Sequence, residues 1–156
     1  MLRLLLLGIL VAGTLESVAQ KAIDKALLLE LVNQARSKSC RCGGEKQKAT
    51  TPVLWDEALE RAAQKQANDM AAGEFFSHTG SDQSSVSDRV DREQFEWSAV
   101  GENIAMGHQD EKTVVEGWMN SPGHCKNIMS PEFKYMGVAV SADGKYWVQV
   151  FADKLE

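Results

Sequence analysis

The chain predicts an α+β fold in which helices cover an antiparallel sheet. Three observations carry that expectation. Apolar residues recur at helical spacing in several segments before residue 130. Near the end, Lys134 to Val140 and Tyr146 to Phe151 are rich in β-branched and aromatic residues and flank the turn pair Asp143-Gly144, a hairpin signal. No internal repeat or low-complexity linker divides the sequence, so one domain is expected.

Arg3 gives a short positive start, followed by an apolar stretch from Leu4 to Leu15 broken by Gly8, Gly13 and Thr14. Ser17-Val18-Ala19 is a small-x-small cleavage site, so residues 1–19 read as a signal peptide and residues 20–156 as the mature domain. The apolar run is too short for a comfortable membrane span. Removing residues 1–19 deletes Arg3 and Glu16, which leaves the net charge at -5. That balance argues against nucleic-acid binding, which usually leaves a basic footprint.

In the mature part, Leu27, Leu28, Leu31, Val32 and Ala35 mark a helix over 22–36. Ser37 to Pro52, polar and holding Gly43-Gly44, reads as a loop tied down by a cysteine. A second helix spans 56–72, with Asp56 as N-cap, Leu59, Ala62, Ala63 and Met70 on one face, and Gly73 as terminator. A short helix over 84–93 turns Val86 and Val90 inward. Glu96 to Met106 reads as a strand ending in a loop. A helix over 111–120 buries Val114, Val115 and Trp118, and Ser121-Pro122 reads as an N-cap and first residue of another helix through Met129. Trp55, Trp97, Trp118 and Trp147 are read as core residues rather than ligand platforms.

The three cysteines are Cys40, Cys42 and Cys125. Export permits disulfides. Cys40 and Cys42 are too close in sequence to bridge without strain, so one of them pairs with Cys125 and one thiol remains. A metal site using Cys40 and Cys42 is the weaker alternative, because structural zinc sites use wider spacing and four ligands.

His78, Glu102 and His124 each sit in a short segment rich in turn and polar residues: Phe75 to Gly80, Gly101 to Ala105, and Ser121 to Ile128. Two imidazoles and a carboxylate hydrogen-bond one another, hold a divalent metal, or move protons. His124 falls in the first turn of its helix, whose positive end disfavours protonation. His108 reads as solvent-exposed. Ser81-Asp82 and Asp88-Arg89 read as anchors for the loop after His78. Ser121 is read as a helix cap, and Ser77 adjoins His78 in a poor geometry for nucleophile and base.

Four motifs in order, Phe76-Ser77-His78-Thr79-Gly80, Gly101-Glu102-Asn103-Ile104-Ala105, Gly117 to His124, and Tyr146-Trp147-Val148-Gln149-Val150-Phe151, resemble the CAP superfamily of cysteine-rich secretory proteins, venom antigens and pathogenesis-related proteins. The resemblance covers Ala22 to Asp153 and is strongest to the compact bacterial branch of secreted proteins. It implies an α-β-α sandwich with a central antiparallel sheet. It also implies a cleft in which His78, Glu102 and His124 hold Zn2+ or another divalent cation. Asn103 and Asn127 either line that cleft or satisfy loop backbone groups, and Ser121 is placed among the lining residues. Eukaryotic members carry a second glutamate three residues after the helix tryptophan; here that position is Ser121, and Glu116 precedes Trp118. The resemblance further implies a Cys42–Cys125 bridge with Cys40 left over.

The expected function is thus a secreted or periplasmic binding module, monomeric, for a small ligand, a lipid or an extracellular protein. The alternatives are a metal- or acid/base-assisted hydrolase using His78, Glu102 and His124, and a lipid or sterol carrier, for which no loop match exists. A purely structural hydrogen-bond network joining three loops is the competing account of the same residues.

Overall fold

The computed structural model describes residues 22–155. The leader expected over residues 1–19 lies outside them. The elements run α1 (Lys25–Arg36), β1 (Cys40–Cys42), β2 (Glu45–Gln47), β3 (Leu54–Trp55), α2 (Glu57–Gly73), α3 (Val86–Arg92), β4 (Trp97–Met106), α4 (Glu111–Asn120), α5 (Pro122–Met129), β5 (Tyr135–Val140) and β6 (Tyr146–Lys154). No helix among the described residues is long and apolar enough to cross a membrane.

Local chemistry sets most boundaries. Asp24, Asp56, Ser85 and Asp110 cap α1, α2, α3 and α4 through their side chains. At α5, Ser121 holds the N-cap position without a side-chain cap bond, so the start rests on Pro122 and its preset φ, a correction to the expected hydroxyl cap. Gly73 is the last residue of α2 rather than its terminator; Glu74 takes the left-handed conformation at φ 50°.

The segment read as a loop contains a small hairpin. β1 and β2 pair antiparallel around Gly43-Gly44, with Gly43 at φ +62° as such a tight turn requires. Glu96 to Met106 is a strand throughout from Trp97, without the loop expected at its end.

The main sheet has the order β3-β5-β6-β4. β6 pairs antiparallel with both β4 and β5. The two-residue β3 pairs parallel to β5, so the sheet departs from purely antiparallel at that edge. Strand alternation divides the core between two faces. Met136, Val138, Val140, Trp147 and Phe151 pack with α1, α4 and α5. Ala139, Val148, Val150 and Ala152 pack with Leu59, Ala63, Ala67 and Met70 of α2 and with Val90 of α3. The result is the α-β-α sandwich, with β4 along one edge. On the α2 face, a Cβ at Gly137 would lie 2.1 Å from the Glu60 backbone nitrogen, so the missing side chain lets the helix main chain rest on β5. Trp118 and Trp147 are fully buried, whereas Trp55 and Trp97 are half-buried at the margins.

The buried face of α1 is rotated from the expected stripe. It runs Leu28, Val32, Arg36, and Leu27 is 36% exposed. Arg36, fully buried, donates from Nε to Thr51 O, from Nη1 to Ile128 O and Ser130 O, and from Nη2 to Phe133 O. Burial pushes its guanidinium down to about 10, which still leaves it charged at neutral pH. One cation thereby satisfies four carbonyls of segments that have no ladder partner for them.

Replacing Arg36 by Met should retain part of the volume and strand those carbonyls. A loss of about 3–5 kcal/mol is expected, combining the desolvation penalties of several unsatisfied acceptors. Urea unfolding monitored by tryptophan fluorescence measures it, and an unchanged midpoint would remove Arg36 from this role.

Candidate functional site

The site forms along β4, at the edge of the sheet. Successive residues of a strand face opposite ways, and here Glu102 and Asn103 point into different layers. Glu102 stands opposite Val150, on the α2 face, and Asn103 stands opposite Gln149, on the α5 face. Gly101 precedes them because the Phe133 ring lies where its side chain would be, with Phe133 Cζ 2.7 Å from an ideal Cβ.

The Glu102 side chain is only 2% exposed, and both carboxylate oxygens are taken. Oε2 accepts from Arg89 Nη2 at 2.7 Å, and the Arg89 side chain is itself 3% exposed. Oε1 lies 2.8 Å from His78 Nδ1. A carboxylate accepts, so the ring donates through Nδ1 and presents Nε2 outward. The imidazole is 57% exposed, so a buried charge pair stands behind an accessible ring.

Arg89 reaches β4 because α3 turns Val86, Arg89 and Val90 to one side. The same guanidinium donates to Ser84 O and His78 O, fixing the loop after His78, as the sequence reading anticipated. Asp69 accepts from the Ser81 backbone and hydroxyl, and Asp82 accepts from Ser84 N and Arg92.

On the other face, Asn103 is fully buried. Its Nδ2 donates to His124 O and Gln149 Oε1, and its Oδ1 accepts from Asn127 Nδ2, which also donates to Glu102 O. This amide chain fastens the first turn of α5 to the edge strand. His124 is half-buried, and its ring makes no hydrogen bond to another described residue. Its pKa is lowered, first by burial and then by the charge of His78. The direction matches the sequence expectation, with burial as the leading cause. The influence of His78 on His124 places the two rings in one electrostatic neighbourhood.

Thus the structure brings His78 onto Glu102, and ties Asn103, Asn127 and the His124 backbone together. Ser121 is half-buried and makes no cap bond. Glu116 is exposed on α4. His108, expected in solvent, is half-buried over Gly117, where an ideal Cβ would meet its ring at 2.6 Å. Two partners escaped the sequence reading. Arg89 was singled out, but not as the counter-charge of Glu102. Gln149 was legible only as one polar residue inside Val148-Gln149-Val150.

Cys42 and Cys125 form a disulfide closing a separation of 83 residues, the pairing implied by the resemblance; Cys40 is free. In the chain-entropy picture such a loop adds about 4.5 kcal/mol. The Sγ atoms of Cys40, Cys42 and Cys125 all lie within 4.8 Å of one another. With two of them joined, the cluster offers a single thiol and does not fit a metal in the oxidised chain.

The sequence profile of the cysteine-rich secretory protein family, CAP, matches residues 29–151. The chain belongs to the CAP family. Among relatives of this CAP domain is the uncharacterized protein YkwD of Bacillus subtilis, 33% identical over 127 residues, covering 81% of this chain and 46% of that protein. The chain spans less than half the length of the curated relatives it matches. A solved extracellular protein containing an SCP domain from Bacillus anthracis superposes with a TM-score of 0.71 at 30% identity, over 83% of this chain and 40% of that one. The structure of NaASP2 with Zn2+ shares the fold at a TM-score of 0.55 and 20% identity, over 80% of this chain and 76% of that one.

The lowered pKa of His124 has a consequence for CAP-domain stability. Above the unfolded value, about 6.5, both states hold a neutral ring and no difference arises. As pH falls below it, the unfolded chain takes the proton first, so stability drops until the folded value is reached. His124→Asn should flatten this part of the profile. Denaturation midpoints of both proteins across that window check it; parallel slopes would refute it.

Proposed function

We propose that this CAP domain is an exported binding module whose cleft takes a divalent cation through the imidazoles of His78 and His124. The observation that carries this reading is the pairing of Glu102 with both Arg89 and His78. A second cation on Glu102 meets the guanidinium charge already 2.7 Å away. The carboxylate therefore serves behind the ring, as the acceptor that fixes tautomer and orientation of a metal-binding histidine. His78 Nε2 faces outward, and burial favours the neutral, ligand-competent form of His124. What supports this reading is a donor chemistry of two imidazoles that influence each other electrostatically, with positions left for water or a ligand group. A bound cation would supply Lewis acidity at those open positions. NaASP2, which shares the fold, has been solved with Zn2+. The extracellular description of the Bacillus anthracis neighbour and the leader-like residues 1–19 support export.

Thermal unfolding in zinc, magnesium and calcium series tests this, in a Cys40→Ser background so that the free thiol does not compete. At one hundred times the dissociation constant, a ligand adds about 2.7 kcal/mol, which for a domain of this size raises Tm by about 5–10 °C. The rise should vanish in His124→Ala. A flat Tm across all three metals would end the metal reading.

One observation favours a second reading. The Glu102–His78 pair at 2.8 Å is the arrangement that orients an imidazole as general base toward water. Turnover of peptide, ester or glycan libraries should then fall at least 100-fold in Glu102→Gln, whereas a wild type inactive on all three leaves the binding module alone.

A further inference from the structure

We infer that Cys40 and the Cys42–Cys125 disulfide form a thiol–disulfide exchange centre that moves the chain's free thiol between an accessible and a buried position. Cys40 and Cys42 occupy alternate positions of β1, so both side chains leave the same face of the hairpin. That face meets α5 at Cys125, and all three sulfurs lie within 4.8 Å of one another.

In the step itself, the Cys40 thiolate attacks Sγ of Cys125. The Cys40–Cys125 bond forms, the Cys42–Cys125 bond breaks, and Cys42 leaves as thiolate. The proton lost from Cys40 returns to Cys42 through solvent. One disulfide and one thiol are present before and after, so no oxidant or reductant is consumed. Attack on Cys42 instead would give a bridge between residues about 6.6 Å apart along an extended strand, near the upper limit for a disulfide. The two isomers differ in what they display. With Cys42–Cys125 closed, the thiol is the partly exposed Cys40; with Cys40–Cys125 closed, it is Cys42, 1% exposed. Alkylation, thiolation or oxidation of the chain is gated by which isomer is present.

The sequence makes the isomers separable. Trypsin cuts after Lys38, Arg41, Lys46, Lys112 and Lys126, which puts Cys40, Cys42 and Cys125 on peptides 39–41, 42–46 and 113–126. The full chain, purified without reductant, is denatured in excess N-ethylmaleimide and mapped by mass spectrometry. The expected result is maleimide on both 39–41 and 42–46, and 113–126 linked to each. Maleimide confined to 39–41 overturns the inference. In Cys42→Ser, the folded chain should carry a 39–41 to 113–126 link and no free thiol, with a Tm closer to wild type than that of Cys125→Ser. Two free thiols per folded Cys42→Ser chain overturn it equally.

Discussion

A carboxylate with almost no access to water ties α3, the loop over 78–84 and β4 together. Moving an ionised group into a protein interior costs several kcal/mol after relaxation, and the cost is offset only where partners sit at hydrogen-bond distance on every side. Glu102 meets that condition through Arg89 and His78. Because Arg89 also binds the main chain of His78 and Ser84, one guanidinium fixes the position of α3, the loop over 78–84 and β4 relative to one another. The His78 ring is therefore presented by a rigid support.

The opposite face of β4 works by a neutral version of the same principle. Asn103, Gln149 and Asn127 satisfy one another and reach the His124 backbone inside a mostly apolar layer. A buried amide that has lost its partner is costly, so a slip of β4 by one residue against β6 is penalised twice, once by Glu102 turning toward α5 and once by Asn103 turning toward α3. Register and site are specified by the same pair of neighbours.

Much of this was readable without coordinates, for identifiable reasons. Helix α4 matches its expected limits because Asp110 and the Val114-Val115-Trp118 face are local signals. The terminal hairpin follows from Asp143-Gly144, and Gly144 takes the positive φ that the turn needs. The hairpin β1–β2 went unread although Gly43-Gly44 is a two-residue turn signal, because each strand is only three residues long, too short for alternation to register, and β2 is polar throughout. Arg36 looked like an ordinary basic residue in a last turn; its burial depends on segments some ninety residues away, which no periodicity encodes. The partnership of Arg89 with Glu102 is hidden in the same way. His78, Glu102 and His124 stood out by residue type and setting, but only motif resemblance brought them together, since intervals of more than twenty residues carry no geometry of their own.

Arg36 also decides how the two ends of the polypeptide depend on each other. Its fork is the clasp between the first helix and the turn that leads into the last two strands. A protease that cut the short bridge at 37–39 would leave Arg36 on a fragment held by packing, those bonds, the Asn33–Val53 pair and the Lys25–Glu60 ion pair, and release of that fragment would expose the carbonyls of 128–133. Loosening at one end is thus felt at the other, and the domain should come apart as a unit rather than fray from its first helix.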